Sequence, residues 1–164
     1  MPDPSAWRID KRKWVSVSFD GSGAAKEGGR WNSAGVRVVY CSRNLAMAAQ
    51  ERYVHLPKPV SMQLVKFRVH FGKLTVETVG NVPPDWKIFP PPVSTQQIGD
   101  EWAGSRRTPI LAVPSVLIPE ETNYLLNPLH PDFGQIAISG PEEFVFDSRV
   151  ARLHEPPAGA MPQP

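Results

Sequence analysis

The chain has 164 residues, of which 41% are hydrophobic and 21% charged, so it suits one globular domain and is neither wholly disordered nor long enough for two full domains. A formal net charge of +2 does not by itself demand a nucleic acid or an anionic membrane as partner. The single cysteine excludes an internal disulfide framework, and no leader-like or membrane-length apolar run is visible, so we expect a soluble, cytoplasmic protein.

The amino-terminal part contains a basic cluster at residues 11–13, followed by a stretch in which apolar and polar residues alternate. Val15, Val17 and Phe19 alternate with serines, which predicts a strand. The glycines that follow predict a loop, but GSGAAK has lysine where a dinucleotide-binding fingerprint needs its third glycine, and no GK[ST] sequence is present. We therefore expect neither a Rossmann-type nor a P-loop nucleotide site.

Residues 36–40 form a β-branched run, which predicts a strand. A helix is predicted directly after this strand. Asn44 has the side chain of an N-cap for a helix from Leu45 to about His55. Glu51 lies on the mostly apolar face of that helix, which should point inward. A carboxylate there is expected to have a specific partner or a substrate.

The rest of the chain predicts short elements, in keeping with its many prolines. Further strands are predicted at residues 60–69, 74–79, 110–113 and 143–147. Residues 82–92 predict a loop packed by Trp86 and Phe89, and residues 94–103 predict a short helix. The strand at 110–113 leads into an irregular Pro-Ser step, an apolar strip at 116–118 and a polar turn. We expect one domain, residues 1–155, and a disordered proline-rich tail, residues 156–164.

Several segments together resemble the RES domain toxins, a family named for an arginine, a glutamate and a serine. The matching segments are Trp7-Arg8, the stretch 21–42 with GGRWN and VVY, the helix that carries Glu51, and residues 113–133. GGRWN followed by VVY and then a glutamate is a specific pattern. The matches cover the front, the centre and the back of the chain.

The resemblance implies an α+β fold, a single compact domain with a central, mainly antiparallel sheet, similar to the ADP-ribosyltransferase toxins. Members of the family consume NAD+, some by hydrolysis or phosphorolysis, and at least one is described as transferring ADP-ribose to a protein. The resemblance therefore implies NAD+ as substrate. The spacing of the histidines predicts no metal, and the lack of a long apolar run predicts no membrane association. The expected partners of the chain are a cognate Xre-type antitoxin and either a homodimer or a larger toxin–antitoxin assembly.

The resemblance also implies roles for individual residues. Arg30, Glu51 and Ser115 match the family arginine, glutamate and serine, and are the expected catalytic residues. The expected substrate-binding residues match an early arginine, the tyrosine that closes the strand and the N-x-x-x-NP motif, namely Arg8, Tyr40, Asn123 and Asn127.

The chemistry of NAD+ cleavage suits these residue types. The nicotinamide leaves as a neutral group, so the main demand is to stabilise an oxocarbenium-like ribose, and a carboxylate such as Glu51 can accept a hydrogen bond from a ribose hydroxyl. The pyrophosphate needs a planar bidentate donor, which favours Arg30, with Arg8 as a second clamp. Tyr40 is expected to stack on or cover the nicotinamide. Ser115 is expected to orient the carboxylate or the nicotinamide amide.

Each assignment has a simpler structural alternative. Gly-Gly-Arg is also typical of a surface turn. Glu51 could instead be a salt-bridged helix residue, and Tyr40 could be a core residue. Three residues are also suited to stabilising turns, namely Ser115, Asn123 and Asn127. Cys41 is expected to be buried and structural, and the four histidines lack metal-ligand spacing.

Two further functions remain open. A mono-ADP-ribosyltransferase would use the same residues and hand the ribose to a host protein. A nucleic-acid-binding module would instead use the strip at residues 7–14, WRIDKRKW, for phosphate contacts and stacking. Many members of the resembling family carry an Arg-Tyr pair near this strip, so the role of Trp14 is also open.

Overall fold

The computed structural model describes residues 4–56 and 63–151, which form one sheet flanked by helices. The strands are β1 (Ser5–Lys11), β2 (Val39–Ser42), β3 (Leu64–His70), β4 (Val76–Thr78), β5 (Ile110–Pro114), β6 (Thr122–Leu126) and β7 (Ala137–Phe144). The α-helices are α1 (Ser22–Glu27), α2 (Leu45–Val54), α3 (Val93–Ser105) and α4 (Ser148–Ala151), and 3-10 turns occupy Arg12–Val17 and Pro131–Gln135. Within the same ranges, none of the helices combines the length and apolar character needed to span a bilayer.

The sheet order is β4-β5-β6-β2-β1-β3-β7, and all neighbours are antiparallel except the parallel pair β4 and β5. This confirms the predicted α+β domain with a central, mainly antiparallel sheet. Within the described chain, β1 and β2 are paired at one position, Trp7 opposite Ser42. We call this weak junction the seam. It divides β4-β5-β6-β2 from β1-β3-β7.

The core lies on both faces of the sheet: in β5 the four consecutive residues Ile110–Val113 are all buried, although successive side chains of a strand point to opposite faces. One face carries a cluster that includes Val39, Val69, Ile110 and Leu126. On the other face, α3 buries Trp102 completely against residues such as Leu125. A third cluster places α2 over β1 and β3, through Ala48, Ile9, Leu56 and Leu64.

Helix α2 forms where it was predicted, because its start signal is local. Asn44 has extended backbone angles, and its side chain accepts a hydrogen bond from the backbone N–H of Met47 at 2.8 Å. This satisfies one of the N–H groups left free at a helix start. Met47 and Ala48 are buried, and the helix ends at Val54. The apolar face of α2 therefore packs on the sheet, and Glu51 lies within hydrogen-bond distance of Asn123 on β6.

The predicted strand at Val15–Phe19 is wrong. The strand of this region is β1, which pairs along its whole length with β3, and a 3-10 turn follows it. The alternation was misleading because a serine, not a valine, points inward. Ser18 is only 3% exposed and donates to the Asp10 carboxylate, whereas Val17 is 38% exposed.

Other predicted elements are confirmed in part. The strand predicted at 74–79 is found as the shorter β4, Val76–Thr78, at the edge of the sheet beside β5. The last strand, predicted at 143–147, is found as Ala137–Phe144, so the two ranges share only residues 143 and 144. In the loop at 82–92, Trp86 packs against the α3 side of the core, but Phe89 is 83% exposed.

Element bounds account for the remaining differences. Strand β6 was not predicted, since TNYLL shows no strict alternation. Helix α3 extends beyond the predicted 94–103 at both ends, and the strand predicted at 60–69 is found as β3 from Leu64. The first residues of that prediction and the tail at 156–164 lie outside the described residues.

Candidate active site

Glu51 lies in the last turn of α2 and reaches across to the β5–β6 part of the sheet. Its Oε1 accepts a hydrogen bond from Ser115 Oγ at 2.8 Å and another from Asn123 Nδ2 at 2.7 Å. No hydrogen bond from residues 4–56 or 63–151 reaches Oε2. The two donors are neutral, so they orient the carboxylate without cancelling its charge. One oxygen is thereby anchored and the other stays free for a ligand.

Ser115 lies directly after β5 and is fully buried. Its Oγ accepts from the backbone N–H of Leu117 at 3.2 Å and of Ile118 at 3.4 Å. Because these two donors occupy the acceptor sites of the hydroxyl, its single proton is directed to Glu51. Ser115 therefore has one orientation and one hydrogen-bond target.

Asn123 brings β6 into the same group. It faces Ser42 of β2 across the sheet, and its amide nitrogen bonds Glu51. Its Oδ1 is buried and has no hydrogen-bond partner among the residues that the structure describes. An acceptor left in this state costs about 1–3 kcal/mol. The Asn123 side chain is thus held through its amide nitrogen, by Glu51.

Arg30 lies on the tight turn between α1 and β2. Its Nη1 donates to the carbonyl oxygens of Trp86, at 2.5 Å, and Ile88, at 2.9 Å. Burial lowers the pKa of Arg30, while Tyr40 and the charge of Glu51 act in the opposite direction. In the part of the chain described, Nε and Nη2 make no hydrogen bond. The loop therefore orients the guanidinium and leaves one edge free for a planar anion.

The side chain of Tyr40 hydrogen-bonds the turn that carries Arg30. Its hydroxyl accepts from the Trp31 backbone N–H at 3.0 Å and donates to Asn32 Oδ1 at 2.7 Å. A Cβ at Gly29 would lie 2.8 Å from the Tyr40 hydroxyl, so a larger residue there would displace that hydroxyl. Burial raises the pKa of Tyr40, which keeps the phenol neutral. The hydroxyl is thus committed to the turn, and a role in covering nicotinamide remains a prediction for the ring.

The sequence did not indicate how α3 and Asn32 hold this turn. Asn32 is fully buried, and its Nδ2 donates to three backbone carbonyls. From α3, Gln96 donates to the Gly29 carbonyl at 3.0 Å, and Asp100 accepts from the Ser33 N–H at 2.9 Å. Gln96 and Asp100 are one helical turn apart, and that spacing is the signal that could have identified this polar face.

The predicted clamp residue Arg8 lies at the seam. Its Nη1 donates to the Tyr40 carbonyl at 2.9 Å, and its Nη2 bonds Asp10 Oδ2 at 2.9 Å. Its Nε is buried without a partner among the described residues. Trp14 lies on the 3-10 turn after β1, is 48% exposed, and has the Lys13 ammonium 5.0 Å from its ring centre.

The structure does not bring Asn127 into this group. Asn127 is 1% exposed, donates to the Ala103 carbonyl at 2.9 Å and accepts from the Leu129 N–H at 3.1 Å. Both ends of its amide therefore tie the end of α3 to the turn after β6. Cys41 is buried, which raises its pKa to about 12. Across the described ranges, no three His, Cys, Asp or Glu side chains are grouped to hold a metal ion.

Comparison with known proteins identifies the family of the chain. A family model described as the RES domain matches residues 5–147. The chain is 39% identical over 156 residues to "Prs ADP-ribosylating toxin" of Sphingobium sp. (strain YBL2), covering 90% of this chain and 97% of that protein. It is 33% identical over 149 residues to "Toxin Res" of Yersinia enterocolitica, covering 88% and 97%.

A solved structure is similar in fold. A chain of the M. tuberculosis MbcT-MbcA toxin–antitoxin complex matches with a TM-score of 0.71, covering 87% of this chain and 85% of that one. Its sequence identity is 14%, so this likeness concerns the fold alone. The family model and the relatives, in contrast, extend over nearly the whole domain. The chain belongs to the RES domain family.

Proposed function

We propose that this chain is the toxin of a bacterial toxin–antitoxin pair and consumes NAD+ by cleaving the bond between nicotinamide and ribose. The observation that carries the proposal is Glu51, whose Oε1 is anchored by Ser115 and Asn123 while its Oε2 is free of protein donors in the described chain. Family membership and the toxin relatives support the same class of function.

The carboxylate of Glu51 acts on the ribose. The nicotinamide nitrogen is cationic in NAD+, so the leaving group departs neutral and positive charge develops on the sugar. Oε2 accepts a hydrogen bond from a ribose hydroxyl, and this bond strengthens as the charge develops. Since Ser115 and Asn123 already hold Oε1, little reorganisation is needed during the reaction.

The pyrophosphate is bound by Arg30, whose Nε and Nη2 make no hydrogen bond to the described residues and can donate two parallel hydrogen bonds. The carbonyl oxygens of Trp86 and Ile88 set the plane of this guanidinium. Arg8 contributes positive charge from the seam, because much of its donor capacity is used by Asp10 and Tyr40.

The acceptor of the ribose is water or phosphate in the leading form of the proposal. A second candidate is mono-ADP-ribosylation of a protein, favoured by the 39% identity to a toxin named for ADP-ribosylating Prs. Both reactions use the same groups up to cleavage. They differ only in what attacks the ribose afterwards.

A cognate antitoxin of the Xre type is the proposed partner, and a bacterial cytoplasm, where NAD+ is available, is the proposed location. The similar fold found within a toxin–antitoxin complex supports the antitoxin. The nucleic-acid alternative has less support, because Arg8 of the basic strip is paired with Asp10 at the seam. What remains exposed of the strip is the short run 12–14.

The test is NAD+ loss over time with purified protein freed of any antitoxin, with and without phosphate, with nicotinamide and the ribosyl product identified by mass. We expect wild type to release nicotinamide and Glu51→Gln to be inactive while folded. Glu143→Gln, a change at an exposed glutamate on β7, is the matched control and should keep full activity.

The products distinguish the acceptors. ADP-ribose indicates hydrolysis, and its 1″-phosphate indicates phosphorolysis. If the folded wild type released no nicotinamide alone but labelled a protein in a bacterial lysate supplied with NAD+, the transferase would replace the leading proposal. Full turnover by Glu51→Gln would reject the mechanism.

A further inference from the structure

A buried charge cluster centred on Asp10 lies beside the candidate site, and Arg8 is its one member with a part in the steps above. Asp10 is 6% exposed. Its Oδ2 accepts from Arg8 Nη2 at 2.9 Å and from Ser18 Oγ at 3.0 Å, and its Oδ1 accepts from Arg52 Nη2 at 3.0 Å and from the Lys11 N–H at 2.8 Å. One carboxylate thus joins two arginines from different elements.

Arg52 fastens α2 to β1. Its Nε and Nη2 both donate to the Ile9 carbonyl, at 3.0 and 2.6 Å, and Nη2 also reaches Asp10. Burial lowers the pKa of Arg52, and the Asp10 charge opposes this. The planar fork of arginine makes this double contact possible, whereas an ammonium can make only part of it.

Glu51 and Arg52 are adjacent on α2, so their side chains leave the helix about 100° apart. Arg52 holds the helix to β1, on one side of the seam. Glu51 reaches Ser115 and Asn123, on the other side. Arg52 therefore fixes how α2 is rotated about its own axis. At this rotation the Glu51 side chain points across the seam.

Arg8 also crosses the seam from the β1 side to the β2 side. It is held by Asp10 on β1, and its Nη1 reaches the Tyr40 carbonyl on β2. Within the described chain, the two strands are paired at one position, so side chains carry much of the connection. Asp10 therefore holds both Arg8, which crosses the seam directly, and Arg52, which holds the helix that carries Glu51.

We propose that Asp10 and Arg52 are positioning residues for NAD+ cleavage. Neither needs to touch the substrate. Asp10 sets the position of Arg8, and Arg52, bonded to Asp10 and Ile9, sets the position of Glu51. This inference rests on the proposed function, but its structural content can be tested separately.

The kinetic test uses Asp10→Asn, Arg52→Met and Arg52→Lys, assayed with NAD+ below the melting temperature of each variant. A displacement of about 1 Å can cost about 100-fold in rate. We expect Arg52→Met to lower kcat by about 10- to 100-fold with little change in KM. Arg52→Lys should recover part of that loss, and Asp10→Asn should both lower kcat and raise KM, because Arg8 moves too.

Arg107→Met is the matched control. Arg107 forms a fork with the Glu77 carboxylate, away from the seam, so its loss should lower the melting temperature without altering kcat or KM. If Arg52→Met and Asp10→Asn behaved like this control, with lower melting temperatures and wild-type kcat and KM, they would have only a structural role and the inference would be overturned.

A crystal structure of Arg52→Met provides a readout that does not depend on activity. We expect the hydrogen bonds of Glu51 to Ser115 and Asn123 to be lengthened or lost. Unchanged bonds would overturn the inference even if wild type did not consume NAD+. Displaced bonds together with an inactive wild type would support the positioning role and reject only the proposed reaction.

Discussion

The hydroxyl oxygen of Ser115 lies 2.8 Å from Oε1 of Glu51, although the two residues are 64 positions apart in the chain. The hydroxyl has backbone donors on its acceptor side, from Leu117 and Ile118, so its proton is directed to the carboxylate. A buried serine on an irregular turn thus orients the helix-borne carboxylate that we assign to catalysis.

Removing this hydroxyl should affect the rate more than substrate binding. In Ser115→Ala, Glu51 keeps Asn123 but loses one of its two donors, so we expect kcat to fall about tenfold with KM nearly unchanged. The N–H groups of Leu117 and Ile118 lose their acceptor, which should lower the free energy of unfolding by about 1–3 kcal/mol. Ser139→Ala, at an exposed position on β7, is the control. Wild-type kcat in Ser115→Ala would remove Ser115 from the mechanism.

Arg30→Lys should separate charge from geometry. The lysine keeps the positive charge but loses the planar fork, so it cannot make two parallel hydrogen bonds to a pyrophosphate. We expect KM for NAD+ to rise about tenfold, and KM for nicotinamide mononucleotide, which has no pyrophosphate, to change less. Arg43→Lys, at an exposed arginine, should change neither constant. Equal effects on both substrates would place the pyrophosphate elsewhere.

Alkaline pH should destabilise the protein through Cys41. Burial raises the pKa of this thiol from 9.0 to about 12, so the folded state holds its proton to higher pH than the unfolded state. A folded pKa above the unfolded one stabilises the fold below about pH 9, and this stabilisation is lost as pH rises towards about 12.

Urea unfolding of wild type and Cys41→Ala between pH 8 and pH 11 tests this. The substitution should lower stability at pH 8, since it removes buried volume, and the difference between the two proteins should shrink as pH rises. Tyr40, whose pKa burial also raises, is present in both and affects both alike. A difference independent of pH would show that the thiol does not titrate differently in the folded state.

Two glycines of α3 should respond to alanine in opposite ways. A Cβ at Gly99 would lie 1.7 Å from the Trp31 carbonyl oxygen, so α3 must move away from the Arg30 turn. We expect Gly99→Ala to cost about 1–3 kcal/mol or more of unfolding free energy, and to raise KM for NAD+ because Arg30 shifts. At Gly104 no atom of residues 4–56 or 63–151 lies within 4 Å of the added atom, so Gly104→Ala should be neutral or stabilising by up to about 1 kcal/mol. Thermal melts and KM measurements on both variants check this.

Local signals in the sequence were sufficient for part of the molecule. The N-cap Asn44 and the apolar spacing after it predicted α2 correctly, because a helix start depends on neighbouring residues. A buried apolar run predicted β5 in the same way. Where the inward residue is polar, as Ser18 is, the local pattern was misread, since the Asp10 carboxylate and the Trp14 carbonyl, which make that burial favourable, are not part of the alternation.

The candidate residues of the site could be read from the chain alone, since GGRWN, VVY and the glutamate eleven residues after the tyrosine single out Arg30, Tyr40 and Glu51. Their partners could not, because these come from distant parts of the fold. The tertiary structure placed Ser115 and Asn123 on one oxygen of Glu51, and the carbonyl oxygens of the loop at 82–92 on Arg30. These contacts join residues more than fifty positions apart, so they depend on strand order and helix packing, which no local pattern encodes.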